Sequence, residues 1–125
     1  MLNFIISIKP GLPIYEQIIY AAKKAVVSGQ LKPGDPFPSV REISRELKVN
    51  PNTVQKSINQ LVRDNMLEIR PGIGSVIAEI RMATDEQRKQ ILQTEAERLV
   101  VESKRLSIKK KELLEAIEAR WGEEK

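Results

Sequence analysis

The tetrapeptide Lys48-Val49-Asn50-Pro51 limits the folds open to this chain more than any other feature. Proline has no N–H and its ring clashes with the preceding helical turn, so no α-helix runs through Pro51. The same residue is favoured at the first position of a new helix, directly after an asparagine that caps it. Upstream, Ser39 stands three residues before Glu42 in a capping box, and Val40, Ile43 and Leu47 mark one face of a short helix of about ten residues. Downstream, Val54, Ile58, Leu61 and Val62 recur at i, i+4, i+7 and i+8. That helix buries one stripe and turns Asn52, Thr53, Gln55, Lys56 and Asn59 elsewhere.

The flanking segments complete a small unit. Leu2 to Ile8 favours β structure and reads as one short strand, stopped by Lys9-Pro10-Gly11. Ile14, Ile18, Ala21, Ala22 and Ala25 then recur at helical spacing, with Pro13 at the entry and Gly29 suited to the left-handed position past the end. Lys32-Pro33-Gly34-Asp35-Pro36 makes a rigid connection. Leu67 to Arg70 and Ser75 to Ala78 are strand-like runs joined by Pro71-Gly72-Ile73-Gly74, a hairpin. Two helices, a tight turn and a hairpin make a winged helix-turn-helix over residues 36–78. The fold class expected is mainly α with a small β hairpin.

After Ile80 the texture changes. Thr84 and Gln87 form another capping box, and neither Gly nor Pro interrupts the chain before Gly122. Leu92, Leu99, Leu106 and Leu113 recur every seven residues, but Ser103 and Lys110 on the complementary positions spoil a continuous coiled coil. Two helices joined by a short turn at Leu106-Ser107-Ile108-Lys109 fit better. The division expected is a winged helix-turn-helix over residues 1–80 and a helical dimerisation segment over 81–125. Leu92, Leu99, Val100, Leu106, Leu114, Ile117 and Trp121 present more apolar surface than one helical hairpin hides, which points to a homodimer. Packing of the tail on the chain's own first unit is the simpler alternative.

Composition excludes much chemistry. The chain has no His and no Cys, which removes the commonest metal ligands, the usual general base and most catalytic triads. Neither an enzyme, a metal site nor a cofactor is expected. Acidic pairs such as Glu95 and Glu102 sit at helical spacing among basic residues and read as a solvated face. The apolar N-terminus lacks a charged leader and is short for a signal peptide, and no apolar run reaches membrane-spanning length, so a cytoplasmic protein is expected. The net charge is +4, and its excess sits in residues 1–80, which carry 10 Lys/Arg against 7 Asp/Glu. That balance favours a polyanionic partner.

A helix entering a DNA major groove keeps an apolar underside and exposes hydrogen-bonding side chains near its N-terminus. Asn50, Asn52, Thr53, Gln55 and Lys56 meet that demand. Arg41 and Arg45 share one face a turn apart and suit phosphate, while Gly72 lets a hairpin backbone approach a minor groove. A winged helix that binds protein instead of nucleic acid is the competing reading. Lys109-Lys110-Lys111 reads as a solvated basic turn.

The segments Pro13-Ile14-Tyr15-Glu16-Gln17-Ile18, Ser28-Gly29-Gln30-Leu31-Lys32-Pro33-Gly34-Asp35, Pro38-Ser39-Val40-Arg41-Glu42-Ile43, Val49-Asn50-Pro51-Asn52-Thr53-Val54-Gln55-Lys56 and Gly72-Ile73-Gly74-Ser75-Val76 resemble, in order, the GntR family of bacterial regulators. The resemblance implies a sequence-specific regulator of transcription in which Arg41, Asn52, Thr53, Gln55 and Lys56 contact double-stranded DNA. The short tail is similar to that of the YtrA-like subfamily, which implies dimerisation through the tail, repression and often a neighbouring ABC-transporter operon. It leaves any small-molecule effector unknown. Three features depart from the family pattern: Ser57-Ile58-Asn59 replaces Ala-Tyr-x, Asn65 stands where glycine is frequent, and Ile73 occupies a wing-tip position that is often basic.

Overall fold

The computed structural model describes residues 2–123, and the chain divides into two compact units, Met1–Ile80 and Arg81–Lys125. The first contains α1 (Ile14–Val27), α2 (Val40–Leu47), α3 (Pro51–Arg63) and an antiparallel hairpin of β1 (Leu67–Arg70) and β2 (Gly74–Ile77). The elements of the second are all helical: α4 (Asp85–Lys89), a π-helical stretch (Gln90–Glu95), α5 (Ala96–Arg105) and α6 (Lys110–Glu123). The architecture is mainly helical with a two-stranded wing, as the sequence implied. Among the described residues no helix is long and apolar enough to cross a membrane.

The helix boundaries follow local chemistry. Ser39 accepts a hydrogen bond from the Glu42 N–H while the Glu42 carboxylate accepts one from the Ser39 N–H, which closes the capping box of α2. α2 runs for eight residues, shorter than its periodicity suggested, because Lys48 turns left-handed (φ 56°, ψ 48°). The Val49 N–H then bonds back to the Ser44 carbonyl at 3.1 Å, the geometry that satisfies an orphan carbonyl at a helix end. Val49 is buried, and Asn50 at once caps α3 by accepting from the Asn52 N–H at 2.8 Å. The turn of the helix-turn-helix thus needs only three residues. α3 and α5 end in the same way, at Asn65 (φ 61°) and Ser107 (φ 59°). Asparagine tolerates this region better than most side chains, which explains how Asn65 stands where the family pattern has glycine.

One core unites the first unit. Ile18, Ala22 and Ala25 of α1, Ile43 of α2, Val54, Ile58 and Leu61 of α3, and Leu67 and Ile77 of the wing are buried together with Leu31 and Phe37. Val62 is only half-buried and Ile14 is exposed, so both lie at the edge of the stripes that periodicity assigned them. The segment 32–37 does more than connect helices. Pro36 forms a bridge to Val76, the Phe37 N–H bonds the Ser75 carbonyl at 2.9 Å, and the Gly34 N–H bonds the Ile77 carbonyl at 2.8 Å. The wing is therefore tied to the chain that leads into α2.

The strand expected over Leu2–Ile8 does not form. β propensity describes how well a side chain fits a pleated surface, and a strand also needs a neighbour to hydrogen-bond. Within the described residues this segment has none. Side chains hold it instead: Phe4 stacks on Phe37 with ring centroids 5.3 Å apart, Gln17 brackets the Lys9 backbone with bonds of 2.8 Å in both directions, and Asn3 reaches the Pro36 carbonyl.

In the second unit the Thr84–Gln87 capping box starts α4 as expected. The helix continues through the π-helical stretch into α5, and a turn at 106–109 separates it from α6. Ser103, read as a flaw in an apolar seam, is buried, and its carbonyl accepts from the Ile108 N–H at the turn. Among the described residues α6 makes no extended contact with α4, the π stretch or α5, so the two helices are not closely paired there. Leu92, Leu99, Leu106, Leu114, Ile117 and Trp121 are all exposed in the single chain.

Two measurements test the packing of the first unit. Leu61→Ala, at a site with no solvent exposure, is expected to lower the urea-unfolding free energy by about 2–5 kcal/mol, against about 1 kcal/mol for Ser39→Ala. Lys48→Gly is expected to raise it by about 0.5–1 kcal/mol, since glycine enters the left-handed region without the Cβ clash that lysine suffers there. A destabilising Lys48→Gly would show that the left-handed turn is not under strain.

Candidate nucleic-acid interface

The restart at Asn50-Pro51 fixes which side chains α3 exposes. Val54, Ile58 and Leu61 face inward, and so does Ser57, which is fully buried. Its hydroxyl donates to the Tyr15 carbonyl at 3.0 Å and lies within 3.3 Å of the Thr53 carbonyl. Asn52, Gln55, Lys56 and Asn59 are exposed and Thr53 is half-buried. The first two turns of α3 thereby present a continuous polar face. Asn50 lies at the start of that face, but its side-chain oxygen is engaged in capping. Its part in the site is to set the entry of α3.

The exposed side chains are partly pre-ordered. The Gln55 amide donates to the Asn59 side-chain oxygen at 2.9 Å, one turn further along the helix. The Lys56 ammonium sits 3.7 Å from the centroid of the Tyr15 ring. Arg41 and Arg45, one turn apart on α2, are both exposed and have no ion-pair partner among the described residues. Glu42, a candidate to neutralise Arg41, is committed to the capping box. Two guanidinium groups on α2 and the Lys56 ammonium on α3 are therefore exposed, with no carboxylate ion-paired to them among the described residues.

The wing supplies a different surface. Gly72 (φ +78°) and Gly74 (φ +112°) both adopt left-handed geometry, yet a Cβ built on either meets nothing within 4 Å. These positions require glycine for backbone conformation and not for lack of space. The Ile73 N–H bonds the Arg70 carbonyl at 3.0 Å, which closes the tip, and Ile73 itself is 72% exposed. Arg70 lies 3.6 Å from Glu68 on the same strand. The wing therefore carries an apolar, uncharged apex.

Sequence reasoning placed Arg41, Arg45, Asn52, Thr53, Gln55 and Lys56 on these two helices, and the fold brings α2 and α3 together as one unit. It missed Tyr15 and Asn59 as partners of Lys56 and Gln55. The Gln55–Asn59 pair is legible as an i, i+4 spacing. Nothing local links Tyr15 to Lys56. An open cleft of about 610 Å³ lies between α1 and the segment 5–9, lined in part by Ile5, Leu12, Tyr20 and Lys24. No residue of α2 or α3 lines it.

Residues 14–77 match the family described as bacterial regulatory proteins of the gntR family. Over 105 residues the chain is 39% identical to the HTH-type transcriptional regulator YhcF of Bacillus subtilis, spanning 84% of this chain and 87% of that protein. It is 44% identical over 71 residues to the HTH-type transcriptional repressor YtrA of the same organism, covering 57% of this chain and 55% of YtrA. Among solved structures, a transcriptional antiterminator from Listeria monocytogenes superposes with a TM-score of 0.84 at 29% identity, over 94% of this chain and 88% of that one. Family, fold and exposed recognition helix agree: the chain belongs to the GntR family and is a DNA-binding transcriptional regulator of YtrA-like type, not an enzyme.

Proposed function

We propose that the protein acts in the cytoplasm as a homodimeric repressor, setting two α3 helices into successive major grooves of a pseudo-palindromic operator, with half-sites about one helical turn apart. The observation that carries this reading is the exposed polar face of α3, packed beside an α2 whose Arg41 and Arg45 are exposed and have no ion-pair partner among the described residues. Asn52, Thr53 and Gln55 read base edges: Asn and Gln pair bidentately with adenine, and Thr takes a hydrogen bond or a thymine methyl. Arg41, Arg45 and Lys56 neutralise phosphates. Gly72 brings the wing backbone to the minor groove, where the uncharged apex contributes contact and shape in place of charge.

Dimerisation through residues 81–125 is supported by the open faces of the tail. Apolar side chains on helices that lack a packing partner gain about 25 cal/mol for each Å² removed from water, and a second copy offers a matching surface in an isologous interface. Repression, and an ABC-transporter operon as the target, are supported by the likeness to YtrA and to its subfamily. Any effector is of unassigned chemistry.

Selection of bound sequences from random DNA is expected to return a site with two-fold symmetry. On that site Gln55→Ala relaxes preference at one base position by about 1–3 kcal/mol, whereas Arg41→Ala weakens matched and mismatched duplexes alike and flattens the salt dependence by about one unit. Unchanged binding by both variants across ionic strength would favour a protein-binding winged helix. Light scattering at micromolar concentration is expected to give a dimer, and Leu114→Glu combined with Trp121→Glu a monomer with an intact first unit. A monomeric unmodified chain removes the dimer from the proposal.

A further inference from the structure

Lys56 is the one cation on α3 within the candidate reading surface, and the structure does not leave it free. Its ammonium rests over the Tyr15 ring, 3.7 Å from the centroid. Tyr15 belongs to the first turn of α1, forty-one residues earlier in the chain. The neighbouring residue secures the same junction: Ser57, fully buried, donates to the Tyr15 carbonyl at 3.0 Å. The Tyr15 hydroxyl in turn faces a Glu16 carboxylate oxygen at 3.4 Å. The position of the ring relative to α3 is therefore set by backbone and buried contacts, and Lys56 is drawn toward α1.

A lysine on a flexible four-carbon stem otherwise samples many rotamers and can reach a guanine edge as readily as a phosphate. A cation over an aromatic face keeps its charge and its outward N–H donors, and the attraction biases its position severalfold. Gln55, by contrast, has its amide directed along α3 to Asn59. The two adjacent residues are thus pulled in different directions, one along the helix and one across to a neighbouring helix.

We infer that Tyr15 is a positioning residue for DNA binding: its ring holds Lys56 at the α1 flank of α3 and so commits that cation to a backbone phosphate instead of a base edge. The inference rests on the DNA-binding reading above. It assigns to a residue outside the helix-turn-helix a share in the sequence-independent part of affinity.

The experiment measures binding of the full chain by fluorescence anisotropy to two duplexes, one selected from random DNA by the unmodified protein and one of scrambled sequence, across a salt titration. The variants are Lys56→Met, Tyr15→Leu, Tyr15→Phe and the double variant Tyr15→Leu/Lys56→Met. Expected are equal losses on both duplexes, about three- to tenfold for Lys56→Met with a salt slope shallower by about one, and a smaller loss in the same direction for Tyr15→Leu. Tyr15→Phe keeps the ring and binds like the unmodified chain, and the double variant is no weaker than Lys56→Met alone. The inference is overturned if Tyr15→Leu keeps full affinity and slope, if the Lys56→Met loss is confined to the selected duplex, or if the two losses add in full. Should Tyr15→Leu not fold, the distribution of the Lys56→Met loss between the duplexes decides. An unmodified chain that binds neither duplex in a salt-dependent way overturns DNA binding itself, an outcome distinct from all of these.

Discussion

The first unit depends on how the chain reverses between α2 and α3. Lys48 accepts left-handed geometry, Val49 folds under and is buried, and Asn50 opens the next helix. A connection this short leaves no freedom to vary the crossing of the two helices. The backbone positions of Arg41 and Arg45 are consequently set in relation to those of Asn52, Thr53 and Gln55, because α2 packs directly on α3. A longer loop at this point would keep the same residues and lose their registration.

Much of this is legible in the order of the residues alone. Capping boxes at Ser39 and Thr84, the Asn50-Pro51 restart and the stripe Val54–Ile58–Leu61 are local signals, each resting on interactions within one or two helical turns. Where the sequence misled, the cause was a distant partner. Leu2–Ile8 has β-favouring side chains but no strand beside it, and it is held by Phe37, Gln17 and Pro36 instead. The bridge between Pro36 and Val76 makes an apparent linker part of the wing's support. The contact of Tyr15 with Lys56 likewise has no signature in spacing.

The second unit shows the limit of periodicity in another way. A seven-residue leucine repeat describes where apolar side chains fall along a helix, and it leaves open what they face. Here the π-helical stretch 90–95 lies within the repeat and the turn at 106–109 interrupts it, so the stripe passes from α5 to α6, which make no extended contact among the described residues. Buried Ser103 makes sense only at that turn, where a small side chain sits beside the carbonyl that closes it.

The wing apex has a consequence of another kind. Its glycines are demanded by backbone torsion while the space around them is empty, and the exposed Ile73 contributes nothing to the core. The conformation of the tip and the side chain it presents are therefore carried by different residues of the same hairpin. Substitution at position 73 can change the character of the exposed apex while leaving the core of the scaffold untouched, a freedom that the glycines on either side of it do not share.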